Sequence, residues 1–242
     1  MKQVVLEVEK TEPLAESVFK TVFRGDVSGV KSPGQFVNVK IRDLFLRRPI
    51  SVCDLGKDSL TLVYKVVGKG TEKLSESKAG DAFDMLTGLG NGYDLSCAGE
   101  KPLLIGGGVG VPPLYYLAKK LIERGARPFV ALGFNHKEDA FFLREFEELG
   151  AKVAVATVDG SLGEKGFVTG VLPETYSYFY ACGPEPMLKA AFAATKTEGE
   201  LSFEERMGCG FGACMGCTCK TIAGNKRICK EGPVLKKGEI VW

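Results

Sequence analysis

Residues 207–220 read MGCGFGACMGCTCK, placing Cys209, Cys214, Cys217 and Cys219 among closely spaced glycines, and Cys229 follows ten residues later. A loop this rich in glycine needs an anchor, and the cysteines are the groups able to supply one. From Cys209 the spacing is C-x4-C-x2-C, with eleven residues between Cys217 and Cys229. Disulfides, structural zinc, redox thiols and an iron–sulfur cluster are the chemistries to separate.

The compartment bears on the first of these. MKQVVLEVEK at the N-terminus alternates apolar and charged residues and lacks the apolar run of a secretory leader, so a cytoplasmic location is expected. Reduced thiols are the rule there, which disfavours disulfides. Structural zinc usually pairs two short knuckles, whereas here a triple cluster precedes a single cysteine. The C-x4-C-x2-C…C arrangement matches the plant-type [2Fe–2S] pattern, which makes Cys209, Cys214, Cys217 and Cys229 the candidate iron ligands. Gly208, Gly210, Gly212 and Gly216 let the backbone wrap closely and adopt positive φ. Cys219 breaks the spacing if it replaces Cys217 and is read as a buried bystander.

Two other textures precede this tail. Residues 1–100 hold short alternating segments (QVVLEVEK, VFKTVF, QFVNVKI, SLTLVYKVV) between Gly, Pro and Asp turns, which predicts an antiparallel barrel. From 101 to 198, strand-like and helix-like segments alternate. KPLLIGG, RPFVALGF, AKVAVATVD and YSYFYACG read as strands; PPLYYLAKKLIERG, EDAFFLREFEELG and PEPMLKAAFAATK read as helices. That order predicts a doubly wound parallel sheet. Residues 199–242 form the third, cysteine-rich module, with a hairpin expected to turn at Gly224-Asn225. The uncharged run Pro102–Ala118 is interrupted by glycines and prolines, so it is no membrane span. A net charge of +2 offers no case for nucleic acid or an anionic membrane surface.

Within the barrel, FLRRPISV puts Arg48 three residues before Ser51 on one strand. A flavin needs a cation on its phosphates and a small hydrogen-bonding side chain near its ring. VYKVVGKGTEKLSE then gives a strand, a Gly68-Lys69-Gly70 turn and Thr71 opening a short helix, a seat for a pyrophosphate. LLIGGGVGVPPL leads from strand to helix but lacks the final glycine of a G-x-G-x-x-G fingerprint.

With the cysteine tail, these motifs resemble the ferredoxin reductase family of flavoproteins, whose barrel binds FAD through an Arg-x-aromatic-Ser/Thr motif. RPIS departs from it, since Pro49 and Ile50 leave no aromatic there, and Tyr64 is the expected substitute. RRPIS, GKGT, GGGVGVPPLY, CGPEPM and ERMGCGFGACMGC run in the order of one subfamily, similar to electron-transfer subunits of NAD-dependent (class 1B) dihydroorotate dehydrogenases. That resemblance spans essentially the whole chain. It implies FAD contacts at Arg48, Pro49, Ile50, Ser51, Val63, Tyr64, Lys65, Gly70 and Thr71. It places Gly107, Gly108 and Gly110 near the dinucleotide and Cys182 near the nicotinamide, with Ser51 and Cys182 as the catalytic candidates.

The resemblance further implies an FMN-containing catalytic partner that oxidises dihydroorotate to orotate in pyrimidine biosynthesis, assembled as a heterotetramer of two subunits of each kind. After the strand RPFVALGF, NHKEDAFF is where ribose is discriminated; it holds no arginine for a 2′-phosphate, although Lys137 is available, and NADH is the expected donor. His136, the single histidine, is read as exposed or ribose-contacting. The alternative is a flavin/iron–sulfur reductase subunit serving a ferredoxin, hydrogenase or sulfite-reducing partner; a non-enzymatic regulator is the rival of a different class.

Overall fold

The computed structural model describes all 242 residues. Strands β1 (Lys2–Ala15), β2 (Val18–Arg24), β3 (Phe36–Val39), β4 (Arg48–Leu55), β5 (Ser59–Lys65) and β6 (Ala82–Leu89) close into an antiparallel barrel, ordered β1-β2-β5-β4-β3-β6. Pairing of Lys2–Glu7 with residues 82–87 completes the ring, so no sheet edge is left open. Side chains alternate across a strand, and Leu60, Leu62 and Tyr64 of β5 turn inward with Ile50 and Val52 of β4 and Phe23 of β2. The short helix α1 (Lys69–Ser75) adds Leu74 to the same core.

The opposite face of several barrel strands is apolar too. Val18, Cys53 and Val63 share a second core with Leu114 and Leu117 of helix α2 (Val111–Glu123). Phe36, Leu86 and Leu89 share a third with Leu103, Ile228 and Cys229.

The α/β part is built on β7 (Leu103–Gly107), β8 (Phe129–Phe134), β9 (Lys152–Thr157), β10 (Glu164–Lys165), β11 (Phe179–Cys182) and β12 (Gly199–Ser202). Helices α2, α3 (Leu143–Glu148) and α4 (Glu185–Ala194) connect them. After the hairpin of β13 (Thr218–Thr221) and β14 (Gly224–Arg227), β15 (Val234–Lys236) returns to this sheet as its one antiparallel strand, giving the order β10-β9-β8-β7-β11-β12-β15. From β7 the chain runs outward through β8 to β9, then crosses back to place β11 on the other side. That reversal opens a crevice at the C-terminal ends of β7 and β11, where doubly wound sheets bind ligands.

Four local expectations are corrected. The helix expected over EDAFFLREFEELG starts only at Leu143. Phe142, buried beside Phe141, takes a left-handed φ of 69°, which no helix interior accommodates, so the helix begins after it. Helix α1 opens at Lys69 rather than Thr71, whose hydroxyl donates to Gly68 O (3.1 Å) and accepts from Val67 N (3.0 Å). The hairpin turns at Ile222-Ala223, and Gly224, at φ 108°, begins the return strand. Strand β6, absent from the segments read as strands, closes the barrel.

Glu200 on β12 is 3% exposed and accepts a hydrogen bond from Asp94 N at 2.9 Å. Burial pushes its carboxyl from the ordinary 4.5 up to about 7. Between those values the native state holds a proton that the unfolded chain releases, so stability present below pH 4.5 is lost as pH rises through 7. Glu200→Gln removes that titration. Urea unfolding should show the wild type losing stability between pH 5 and pH 8 relative to the variant; parallel pH profiles would remove Glu200 as the cause.

Candidate functional site

The flavin-side residues converge on the mouth of the barrel. Arg48 begins β4, and its side chain lies across Gly70 of α1, where an added Cβ would stand 2.2 Å from Nε. Only glycine lets the guanidinium lie against the first turn of this helix, so a cation and the helix's free N–H groups face one spot. Thr71 is spent holding the Gly68 turn closed. Ser51 lies three residues along β4, opposite Phe36, and its hydroxyl has no partner within the protein. A phosphate-binding cation, a tight helix start and an unengaged hydroxyl on one strand suit an elongated anionic ligand with a polar ring.

Two neighbours behave otherwise. Ile50 is packed inside the barrel. Tyr64 is not available as the replacement aromatic, because β5 parity turns its ring into the core, where its hydroxyl meets Thr21 Oγ1 at 2.9 Å. Val63 turns outward but is buried in the core it shares with Leu114 and Leu117 of α2, so on β5 only Lys65 and the backbone remain for a ligand.

The second station is the crevice at the strand reversal. The turn after β7 places Gly108 at φ +51°, and Gly110 presses so closely on β11 that a Cβ there would be 2.3 Å from Cys182 O. Gly107 is less constrained, since its missing Cβ would meet Met187 Sδ at 2.4 Å, the end of a flexible side chain. The turn delivers the chain to the N-terminus of α2, with Pro112 and Pro113 in its first turn. A helix start behind a glycine turn favours phosphate oxygens. Cys182 ends β11 beneath it, 5% exposed, and burial pushes its thiol up to about 12. It stays neutral, so only a contact role fits it. Beyond β8, His136 lies 3.4 Å from carboxylate oxygens of both Glu138 and Asp139. With Lys137 beside these carboxylates, the loop carries charges of both signs.

The third station is the cysteine loop. All eight cysteines are free. The amides of Ala213 and Cys214 donate to Cys209 Sγ at 3.2 and 3.4 Å, and Cys229 N donates to Cys217 Sγ at 3.4 Å. Burial pushes the Cys209 thiol up, but those amides and that of Phe211 outweigh it and hold the thiol well below its usual value. Burial, reinforced by Cys217, raises Cys229. Amide donation thus links Cys214 to the Cys209 sulfur and Cys229 to the Cys217 sulfur, although no three of the thiols stand close enough together to form a metal-sized group. A binuclear cluster takes two thiolates on each iron, and amides aimed at sulfur are the donors it requires. Gly208 and Gly216 stand close to Cys214, with hypothetical Cβ atoms 3.3 and 3.5 Å from its Sγ. Cys219 sits in the β13–β14 hairpin opposite Lys226 and lines a groove of about 340 Å³ with Phe203 and Trp242. Sequence reasoning passed over Asn38, whose Nδ2 donates to Cys209 O at 3.1 Å; a single polar residue in a strand carries no motif.

Known proteins resemble the chain over its full length and in its C-terminal part. Residues 204–241 match the iron–sulfur cluster binding domain of dihydroorotate dehydrogenase B. The chain is similar to the dihydroorotate dehydrogenase B (NAD(+)) electron transfer subunit of Geobacillus sp. (strain WCH70), at 45% identity over 100% of this chain and 99% of the relative. The Fusobacterium nucleatum protein of the same description is 41% identical, with 96% of both chains covered. Among solved structures, an NADH-dependent reduced ferredoxin-NADP oxidoreductase superposes with a TM-score of 0.89 at 32% identity, covering 99% of this chain and 90% of that one. The Amycolatopsis cytochrome P450 reductase GcoB, at 21% identity and a TM-score of 0.70 over 80% of this chain and 65% of its own, shares the fold.

Two substitutions test the sulfur assignment. Cys209→Ser should abolish the cluster's visible absorption and iron content, while Cys219→Ser keeps both; loss in the second would overturn the choice of ligands. Tyr64→Phe should cost about 1 kcal/mol of stability, the usual worth of one buried hydrogen bond. Flavin content should not change; a variant that loses flavin would show that the hydroxyl reaches the ligand.

Proposed function

The chain belongs to the family of dihydroorotate dehydrogenase B (NAD⁺) electron transfer subunits, and on that premise we propose that it carries electrons between a dihydroorotate-oxidising catalytic subunit and NAD⁺ through a [2Fe–2S] cluster and FAD. The observation that carries this reading is the donation of backbone amides to the sulfurs of Cys209 and Cys217, in one chain with a glycine-opened helix start facing Arg48. Bound FAD supplies exchange of an electron pair on its nicotinamide side and of single electrons on its cluster side.

The protein's own groups do the holding. In this reading Arg48, Gly70 and the start of α1 bind the FAD phosphates, and Ser51 presents its hydroxyl to the ring. Pro49 and Lys65, with the Val63 and Tyr64 backbone, shape the wall. The Gly107–Gly110 turn and the N-terminus of α2 receive the dinucleotide phosphates. Cys182, held neutral under that turn, lines the nicotinamide end as a contact and moves no proton. Cys209, Cys214, Cys217 and Cys229 hold the cluster. Positioning is the main work of such a chain, since hydride and electron transfer need no acid or base from it.

The modules are proposed to divide as residues 1–100, 101–198 and 199–242. The partner is proposed to carry FMN and to assemble two-and-two with this chain. No helix is long and apolar enough to cross a membrane, and the cytoplasm is the proposed location. A second reading, delivery of electrons to a ferredoxin, is favoured by the 32% identical oxidoreductase. Full-length identity of 45% to a dihydroorotate dehydrogenase subunit favours the first.

Anaerobic co-expression with an FMN-containing catalytic subunit tests the choice. The complex should reduce NAD⁺ with dihydroorotate, and neither subunit alone should do so. A stable complex that instead reduces ferredoxin and leaves dihydroorotate untouched would replace the first reading with the second.

A further inference from the structure

The loop between β3 and β4 reads KIRDLFLR over residues 40–47 and leads directly into Arg48. It is tied to the phosphate seat at two points. Lys73 of α1 donates to Arg42 O at 3.2 Å, and Arg48 Nη1 donates to Leu46 O. The second tie comes from the same guanidinium that lies on Gly70. Arg47 is spent elsewhere, paired with Asp84 at 2.9 Å and donating to Asp84 O at 3.0 Å. Leu44 packs onto the barrel core. Phe45, the next residue, is left wholly in solvent at 100% exposure, between the two ties.

A single exposed apolar side chain is ordinary on a protein surface and marks nothing by itself. The second most exposed large apolar side chain is Val67, at 82%, and it immediately precedes Gly68, the N-cap of α1. The two least covered large apolar side chains of the whole chain therefore flank one place, the Arg48–Gly70 seat. A ligand with a flat apolar part next to its phosphates would cover them.

The course of a dinucleotide along β4 identifies that part. Ser51, assigned to the flavin ring, lies three residues beyond Arg48, about 10 Å at a strand rise of ~3.3 Å per residue. From ring to phosphates the ligand thus runs against the direction of β4. Whatever follows the phosphates continues past the start of the strand, onto the loop that holds Phe45. In FAD that portion is adenosine, whereas FMN ends at its phosphate.

We propose that Phe45 is the adenine platform of the flavin site: its ring takes the base in an offset stack beyond the Arg48-bound phosphates, and this contact makes the barrel select FAD over FMN. Arg48 sets both halves of the seat, since it faces the phosphates and holds the loop through Leu46 O. The proposal rests on the reading given under Proposed function, and flavin binding by the wild type tests that reading separately.

The test titrates the full-length chain, stripped of flavin anaerobically, with FAD, FMN and ADP, and reads binding by flavin fluorescence and calorimetry. The wild type should bind FAD more tightly than FMN, and ADP should compete with FAD. Phe45→Ala should weaken FAD and ADP about tenfold, within the range for loss of one base stack, and leave FMN unchanged. Phe45→Tyr keeps the ring and should keep the preference for FAD. Equal weakening of FAD and FMN in Phe45→Ala would reduce the residue to a structural role, and unchanged FAD affinity would leave it no role in binding; either result overturns the proposal. A Phe45→Ala chain that keeps its FAD affinity but no longer assembles with the catalytic subunit would assign the ring to the partner and overturn it too. A wild type that binds neither flavin would overturn the functional reading instead.

Discussion

The architecture depends on barrel strands that are apolar on both faces. A closed six-stranded barrel buries only its inner face, here Leu60, Leu62, Ile50, Val52 and Phe23. Val18, Cys53 and Val63 point outward, as do Phe36, Leu86 and Leu89, and water cannot be their partner. Helix α2 covers the first set, and the C-terminal segment with the ends of β7 and β11 covers the second. The three textures of the sequence are thus docked through shared cores rather than strung on linkers. Strand β4 consequently runs between the helix at the dinucleotide crevice and the cysteine loop. An electron relay needs that adjacency, and hydrophobic burial produces it.

What was legible in the sequence was local. Alternation in SLTLVYKVV, the glycine that ends α2 and the cysteine spacing each express a constraint carried by a few neighbouring residues. The cysteine spacing is legible as a pattern because it lies within a short loop, where the amides of Cys214 and Cys229 donate to the sulfurs of Cys209 and Cys217. Pairings between distant strands carry no such mark. The closure of β1 on β6 and the return of β15 to the sheet join residues far apart in the chain, and neither was readable. Tyr64 failed for a related reason. Its identity suggested a flavin contact, but its place in a period of two turns it inward with Leu60 and Leu62, and parity outranks residue type. Gly224 shows the opposite case: the glycine was read as a turn residue, yet it begins the return strand, and its positive φ serves the position after the turn.

The cysteine loop raises a distinct problem, since relay groups must keep fixed distances and this loop has almost no core. The structure restrains it from outside, through its peptide carbonyls. Asn38 on the barrel takes Cys209 O, and Arg227 on β14 takes Gly212 O at 2.7 Å while paired with Glu231. Lys230 packs where a side chain on Gly212 would sit. Each restraint uses a position where glycine leaves the main chain bare. The glycines that make the loop flexible in isolation thus expose it to rigid neighbours. Loss of conformational freedom on folding is greatest for glycine, so the contacts from β3 and β14 must offset that cost. Holding the loop against β3 therefore fixes its distance from β4, the strand proposed to hold the flavin, because β3 and β4 are adjacent in the same barrel.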